Sequence, residues 1–148
     1  MILRAADEDL STLVRLEAEL FGTDAWSEAS LLAELHAPGR LVLVATSEVG
    51  AVVGYAVTLV AGDVADLLRI GVDPAHQRQG LASDLLDKSR SEAASEGATR
   101  MLLEVNAANA PAIEFYRAHQ FVTLDRRPAY YRDGTDALIM QRLLPDPS

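Results

Sequence analysis

The spacing of apolar and polar positions changes along the chain, and each change predicts a different element. Residues 2–5 predict a short first strand. Apolar residues then recur at helical spacing after Asp7 and again after Ser27, two residue types that favour helix N-caps. Two helices are therefore predicted, and the second ends before the breaker pair Pro38 and Gly39. Their apolar positions are Leu10, Leu13, Val14, Leu20, Leu31, Leu32 and Leu35.

Three segments rich in β-branched residues follow this helical pair. Residues 41–46 and 52–60 predict two strands that meet in a compact hairpin at residues 48–50. Residues 65–72 predict a third strand, which stops at the turn-forming pair Asp73 and Pro74. These segments predict the start of a sheet.

From Gly80 the apolar positions return to helical spacing until Gly97 ends the helix. Residues 99–105 predict another strand. Asn109 is then a suitable cap for a further helix, which tolerates Pro111 in its first turn. The inward positions of the first of these helices are Leu81, Leu85, Leu86, Ser89 and Ala93.

The last part of the chain predicts only strands. One begins at about residue 121, and residues 130–132 and 135–143 flank Asp133 and Gly134, a dipeptide typical of tight hairpin turns. The predicted elements follow one another without repeats or linkers. Antiparallel hairpins with one parallel crossover indicate an α+β fold, with helices on both faces of a single mixed sheet. We expect one domain over residues 1–148.

Composition narrows the classes of function. No apolar run approaches the ~20 residues of a membrane span. The first residues carry Arg4, Asp7, Glu8 and Asp9 instead of the apolar stretch of a secretory signal, so a cytoplasmic location is expected. Because there is no cysteine, disulfides, thiolate metal sites and acyl-cysteine intermediates are excluded.

Charge and histidine content narrow the possible classes of function further. The three histidines, His36, His76 and His119, are far apart in sequence without metal-ligand spacing, so no metal is predicted. The net charge is −9, which disfavours nonspecific contact with nucleic acid. A cationic partner would instead be attracted.

The segment from residue 70 to residue 82 carries the first chemical signal. It places a strand, a sharp turn and a glycine-containing helix start in succession. The first backbone amides of a helix lack intrahelical partners and lie at the positive end of its dipole, so such a turn can hold a pyrophosphate. Gly80 lets a phosphate approach the backbone, and Arg78 can add a charge-assisted contact. An isolated Gly-x-Ala, however, is also typical of an ordinary helix start.

Residues 77–82, Gln-Arg-Gln-Gly-Leu-Ala, resemble the acetyl-CoA signature of the GNAT acetyltransferases, (Gln/Arg)-x-x-Gly-x-(Gly/Ala), and the preceding Val-Asp-Pro also matches. The resemblance implies a GNAT-like, mostly antiparallel sheet and acetyl-CoA as the co-substrate. Main-chain groups of Ile70, Gly71 and Val72 would pair with the pantetheine arm. The pyrophosphate would be bound by the backbone amides of Arg78, Gln79, Gly80, Leu81, Ala82 and Ser83. A dinucleotide-binding interpretation does not fit, because Gly-x-Gly-x-x-Gly is absent.

A second block runs from residue 102 to residue 116. Taken alone, Glu104 between Leu103 and Val105 is typical of a solvent-facing strand residue, and Tyr116 of a core aromatic. Together with Trp26-Ser27-Glu28 and the pairs Arg126-Arg127 and Tyr130-Tyr131, the block resembles the bacterial ribosomal-protein-alanine N-acetyltransferases. That resemblance implies Glu104 as general base, Tyr116 as general acid and Asn109 as a side-chain contact to CoA. The acceptor would be the basic N-terminal segment of a small-subunit ribosomal protein that begins with alanine.

The roles of Glu104 and Tyr116 as base and acid depend on the pKa values of the groups that exchange protons. An α-amine, with a pKa of about 7.7–8.0, is more easily deprotonated than lysine at about 10.4. A carboxylate of ordinary pKa is a weak base for an ammonium, so Glu104 needs either partial burial, which its apolar neighbours favour, or a relaying water. Tyr116 would protonate the departing thiolate of CoA.

Three alternatives stay open at this point. The enzyme could act on a small amine such as an aminoglycoside, a polyamine or an amino acid. A silent acyl-CoA-binding regulator would be free to lose Glu104 and Tyr116, which are present. An interaction domain without cofactor leaves residues 77–82 unexplained. One departure from the GNAT pattern is Gln120, where relatives commonly have glycine after the helix.

Overall fold

The computed structural model describes residues 1–145, so the expected domain 1–148 runs three positions past them. Seven strands form one sheet, and four α-helices pack against it. The helices are α1 (Leu10–Phe21), α2 (Glu28–His36), α3 (Leu81–Ser95) and α4 (Ala110–Ala118). The strands are β1 (Ile2–Arg4), β2 (Arg40–Thr46), β3 (Val52–Ala61), β4 (Val64–Val72), β5 (Arg100–Asn106), β6 (Val122–Arg127) and β7 (Ala137–Leu143).

The strand order in the sheet is β1-β2-β3-β4-β5-β7-β6. All neighbours pair antiparallel except β4 and β5, which are parallel and connected through α3. The predicted α+β fold with a mixed, mostly antiparallel sheet is confirmed. Ser27 caps α2 as predicted, because its Oγ accepts the backbone N–H of Ser30 at 3.1 Å.

Helices cover both faces of the sheet, and the alternation of strand residues explains why. In β2, Leu41 and Leu43 lie in the apolar cluster that contains the inner face of α3, whereas Val42 and Val44 lie in the cluster with α1 and α2. Each face of the central strands is therefore buried under its own helices. The prediction of helices on both faces is confirmed.

Two irregularities open the sheet at β4. The parallel ladder with β5 ends after three pairs, the last being Asp66 with Leu102, and the two strands separate beyond it. In the ladder with β3, Thr58 pairs with Leu67 and Val57 with Arg69, so Leu68 is an extra, bulged residue. Bulges bend a strand and commonly lie next to active sites. A cleft between β4 and β5 follows from these two features.

The predicted strand at residues 130–132 is wrong. Residues 128–136 form a long connection between β6 and β7, and Pro128 at its start has no N–H to give to a ladder. The side chain of Asp136 accepts the N–H of Ala129 at 2.9 Å, which folds the connection back on itself. The predicted Asp133-Gly134 turn does exist, with Gly134 donating to the carbonyl of Tyr131 at 2.9 Å, but it lies inside this loop.

Gln120 adopts left-handed geometry at the end of α4, with φ of 70°. Its N–H donates to the carbonyl of Arg117 at 2.9 Å, and that of Phe121 donates to Tyr116 at 3.0 Å. These two bonds form a Schellman motif, whose left-handed position favours glycine.

Gln120→Gly should therefore raise the free energy of unfolding by about 0.5–1 kcal/mol, because glycine has no Cβ to clash in this conformation. Part of the gain is offset by the greater backbone freedom of glycine in the unfolded chain. Thermal melting measures the effect as a higher Tm. Gln120→Ala retains the Cβ and should bring no gain, while a lower Tm for the glycine variant would contradict this account.

Candidate active site

A cavity of about 510 Å³ lies where the end of β4 meets the starts of α3 and α4. We call it the phosphate-loop cavity. Its lining includes most of the residues that the sequence assigned to the cofactor, although Gln79 is not among them. Those that line it are Ile70, Gly71, Val72, Arg78, Gly80, Leu81, Ala82 and Ser83.

The loop before α3 presents its backbone amides to this cavity. Gly80 is the N-cap residue, with φ of 81°, and Arg78 is also left-handed, with φ of 66°. The first helical bond runs from the N–H of Asp84 to the carbonyl of Gly80 at 3.0 Å. Within residues 1–145, the amides of residues 78–83 have no hydrogen-bond acceptor. The arrangement is that of an anion site at a helix N-terminus.

The same loop is tied to the end of β4. The side-chain amide of Gln77 donates to the carbonyl of Val72 at 3.1 Å, and the carboxylate of Asp73 accepts the N–H of Ala75 at 3.0 Å. These bonds fix the turn between strand and helix. The loop is thereby held in one position relative to the edge of β4 that the β5 ladder leaves free.

Gly71 leaves room for the side chain of Leu20 beside β4. A Cβ at this position would lie 2.7 Å from Cδ1 of Leu20, so a larger residue would require this side chain to shift. Leu20 lines the phosphate-loop cavity together with Phe21. The absence of a side chain at Gly71 therefore allows the Leu20 methyl group its place at the cavity.

A second cavity, of about 240 Å³, occupies the cleft between β4 and β5. We call it the cleft cavity. Glu104, Asn109 and Tyr116 line it, so the structure brings together the three residues that the sequence singled out on β5 and α4. Tyr116 lines both cavities and therefore lies at their junction.

Glu104 is only partly covered, and its side chain lies on the side of β5 opposite its apolar neighbours. Leu103 and Val105 point to the core, while 43% of the Glu104 side chain is exposed on the opposite side of β5. Its carboxylate lies 3.8 Å from the guanidinium of Arg127. Because so much of the carboxylate is open to solvent, this geometry favours a relaying water over burial as the way for Glu104 to act as a base.

Tyr116 is largely buried, and this burial raises its pKa to about 12. Its ring packs edge-on against Phe115 and Phe121, with centroid distances of 5.4 and 5.8 Å. The phenol therefore stays protonated at neutral pH and is able to donate a proton.

Asn109 caps α4, since its side-chain oxygen accepts the N–H of Ala112 at 3.2 Å. It lines the cleft cavity and not the phosphate-loop cavity. The cap leaves the side-chain amide nitrogen, and the second lone pair of the oxygen, for the contact to CoA that the sequence predicts. The cap itself orients the helix that carries Tyr116.

Sequence reasoning missed a buried ionic network beside the cleft. Glu17 of α1 is fully buried, and its carboxylate accepts hydrogen bonds from Tyr55, from Arg69 and from the backbone of Trp26. Burial and the bond to Glu17 raise the pKa of Tyr55. A signal was present: Glu17 follows Leu13 by four positions and lies on the same apolar face of α1.

The mouth of the cleft is acidic on one side. A further cavity, of about 410 Å³, is lined by Asp66, Glu104 and Arg127. Burial raises the pKa of Asp66, while Arg100 opposes this and Glu104 adds to it. The pKa of Tyr131, on the long β6–β7 connection, is also raised by burial and by Glu104.

The described part of the chain contains neither a cluster of metal ligands nor a membrane-spanning helix. Among residues 1–145, no three His, Asp or Glu side chains come close enough to hold a metal ion. In the same part of the chain, no helix is both long and apolar enough to cross a bilayer.

The chain is similar to known acetyltransferases in both sequence and fold. The Acetyltransferase (GNAT) family matches residues 8–121. The "N-alpha-acetyltransferase RimI" of Mycobacterium tuberculosis is 36% identical over 150 residues, which cover 95% of this chain and 90% of that protein. The "[Ribosomal protein bS18]-alanine N-acetyltransferase" of Escherichia coli is 42% identical over 94 residues, 62% of this chain. That match spans 64% of the length of the E. coli protein.

Solved structures agree over almost the whole fold. The crystal structure of the E. coli ribosomal-protein-S18-alanine N-acetyltransferase superposes with a TM-score of 0.88 at 33% identity, covering 97% of this chain and 93% of that one. A structure of yncA from Salmonella typhimurium, a putative acetyltransferase with its cofactor acetyl-CoA, gives a TM-score of 0.82 at 25% identity. It covers all of this chain and 95% of the other.

Proposed function

Because the chain belongs to the GNAT acetyltransferase family, we propose that it transfers the acetyl group of acetyl-CoA to the α-amine of an N-terminal alanine, in a small-subunit ribosomal protein. The observation that carries the proposal is the junction of the two cavities at Tyr116, which connects an anion-binding loop with the cleft that contains Glu104. The names of the E. coli and M. tuberculosis relatives support an N-terminal amine as the acceptor.

The cofactor would lie in the phosphate-loop cavity, with its pyrophosphate on the amides of residues 78–83. Its pantetheine would run along Ile70, Gly71 and Val72, where the β5 ladder has ended. Acetyl-CoA supplies the thioester that the acceptor amine attacks. The residues present fit this group, because the loop offers amides without acceptors in residues 1–145 and a cavity beside them.

The protein's own part is proton movement and positioning. The carboxylate of Glu104 would take the ammonium proton through a water, since its exposed side chain sits at the open side of the cleft. Tyr116 would give its phenolic proton to the departing sulfur, which is most basic as it leaves. The raised pKa of Tyr116 keeps that proton available.

The acceptor is proposed to be basic after its first residue. The net charge is −9, and Asp66 and Glu104 lie in the cavity at the mouth of the cleft. Complementary charge of this kind raises the rate of encounter and orients the incoming chain. A cytoplasmic location and the absence of nucleic-acid or membrane partners stay predictions from the sequence.

A panel of acceptors incubated with acetyl-CoA and read by mass spectrometry tests the proposal. A peptide that begins with alanine and continues with basic residues should be acetylated far better than free alanine or spermidine. The modified atom should be the α-nitrogen, which is closer to its neutral form at pH 7 than a lysine amine. An aminoglycoside or spermidine that outcompetes every peptide would instead assign the enzyme to small amines.

Ionic strength isolates the electrostatic contribution. Attraction between exposed charges is screened over roughly 8 Å at physiological salt. Raising the salt concentration should therefore lower kcat/KM on the basic peptide several-fold more than on a neutral peptide of the same length, a factor we estimate at about 3–10. Equal salt dependence for both peptides would show that the acidic side of the cleft does not select the acceptor.

A further inference from the structure

We propose that Arg69, held in place by Glu17, is a positioning residue that fixes the end of α1, and with it Phe21, as one wall of the acceptor site; the inference rests on the proposed function. Arg69 lines the cleft cavity together with Glu104 and Tyr116. It lies directly before Ile70 on β4, just after the bulged residue Leu68. The side chain therefore connects the irregular part of β4 to the neighbouring helix.

The Glu17 carboxylate fixes the orientation of the Arg69 guanidinium. Nε of Arg69 donates to one carboxylate oxygen at 3.1 Å, and Nη2 donates to the other at 2.8 Å. Such a two-point contact sets the plane of the guanidinium as well as its distance. Tyr55, from β3, donates to the same carboxylate, so three elements of the core determine where Arg69 lies.

Arg69 in turn holds the connection between α1 and α2. Its guanidinium lies over the ring of Phe21, 3.8 Å from the centroid, and over that of Trp26, at 4.6 Å. Its Nη2 also donates to the carbonyl of Asp24 at 2.9 Å. The backbone N–H of Trp26 completes the set by donating to Glu17 at 2.8 Å.

This arrangement reaches the site through Phe21. Phe21 lines both the phosphate-loop cavity and the cleft cavity, so its position affects the place where thioester and acceptor would meet. Gly71 leaves room beside β4 for the side chain of Leu20, the residue before Phe21. Through Trp26 and Asp24, Arg69 also holds the connection between α1 and α2, which has no strand pairing of its own in the described residues. The position of Phe21 beside both cavities is thus tied to the ion pair of Arg69 with the buried Glu17.

The test uses the double variant Glu17→Gln with Arg69→Met. It removes both charges, so that no unpaired charge stays buried, and keeps an apolar stem between the two rings. The KM for the alanine peptide should rise at least 10-fold, whereas the Kd for CoA should change less than about 2-fold. Trp26 is the only tryptophan of the chain, so acrylamide quenching of its fluorescence should increase and report the loosened connection.

Two further variants keep the result decisive. Arg69→Lys preserves the charge pair but loses the two-point contact with Glu17. Its KM for the peptide should rise, by less than in the double variant, while its Kd for CoA stays near wild type. Arg40→Met is the matched control, because it removes another partly buried arginine, paired with Glu34 at 2.5 Å outside both cavities. That control should keep the wild-type KM for the peptide.

The outcomes separate this inference from the proposed function. If wild-type enzyme acetylates only small amines, the proposed acceptor is wrong, and the same comparison of variants is made with the best amine. If a folded double variant and Arg69→Lys keep the wild-type acceptor KM, the positioning role is wrong. A parallel rise of acceptor KM and CoA Kd would also overturn it, since that is the effect of a general loss of structure.

Discussion

Gly80→Glu should raise the Kd for CoA at least 100-fold. The position is the N-cap of α3, with φ of 81°, and lies next to backbone amides that have no acceptor within residues 1–145. A carboxylate placed there would occupy the anion site and repel the pyrophosphate. Two unit charges about 4 Å apart interact by roughly 4 kcal/mol near a protein surface, and about 1.4 kcal/mol corresponds to a factor of ten in affinity. Isothermal titration with CoA measures the change.

Two control variants separate charge from backbone strain. A Cβ at Gly80 meets no atom within 4 Å, so Gly80→Ala adds only the cost of a left-handed alanine, about 1–2 kcal/mol of folding stability. Gly80→Gln adds the bulk of the glutamate without its charge. We expect the Kd for CoA to rise from the alanine variant to the glutamine variant and to be highest for the glutamate variant. Unchanged affinity in the glutamate variant would remove the loop from the cofactor site.

The helices and most strands could be predicted because local rules determine them. Ser27 at an N-cap, glycine at a helix end and alternating apolar residues in a strand all act over a few positions. The cofactor loop belongs to the same class, since strand, turn and helix start are contiguous in residues 70–82. Local sequence was sufficient to predict the strand, the turn and the helix start of this segment, whereas its role in binding the cofactor stays a prediction.

The contacts between segments far apart in sequence could not be predicted from the residues themselves, and Glu104 and Tyr116 were singled out only through the family resemblance. Glu17, Tyr55 and Arg69 come from α1, β3 and β4, and nothing in their separate neighbourhoods shows that they meet. The point where β4 leaves β5 is equally hidden, because the last pair of the ladder, Asp66 with Leu102, joins segments far apart in sequence. That separation is why Glu104 is exposed although its sequence neighbours are apolar and buried.

The long β6–β7 connection shows a third limit of prediction from the sequence. Asp133-Gly134 was a correct signal for a turn, but the dipeptide does not specify how far the flanking residues pair. Pro128 and the side chain of Asp136 determine the extent, by removing one ladder donor and by capturing the N–H of Ala129. Tyr131 on this connection thereby reaches the cleft cavity.

Glu104→Gln should lower kcat at pH 7 by about 100-fold while leaving CoA affinity nearly unchanged. Its carboxylate is proposed to act on the acceptor proton through water, and that proton is lost without help once the pH exceeds the pKa of the α-amine, about 7.7–8.0. The defect should therefore shrink as the pH rises to 9. A variant with near-wild-type turnover at neutral pH would remove Glu104 from the mechanism.

Tyr116→Phe should also lower kcat by about 100-fold or more, but the pH dependence of its defect should differ. The proposed proton goes to the leaving sulfur, and deprotonating the acceptor does not replace it. Because burial raises the pKa of Tyr116 to about 12, the wild-type phenol stays protonated throughout the range from 6 to 10, and its removal should cost the same factor at every pH. Phenylalanine preserves the packing against Phe115 and Phe121, so CoA affinity and Tm should stay close to wild type. Tyr130→Phe removes the same hydroxyl from an exposed ring and is the matched control. A Tyr116→Phe defect that disappears at alkaline pH would place this phenol, like Glu104, on the acceptor side of the reaction.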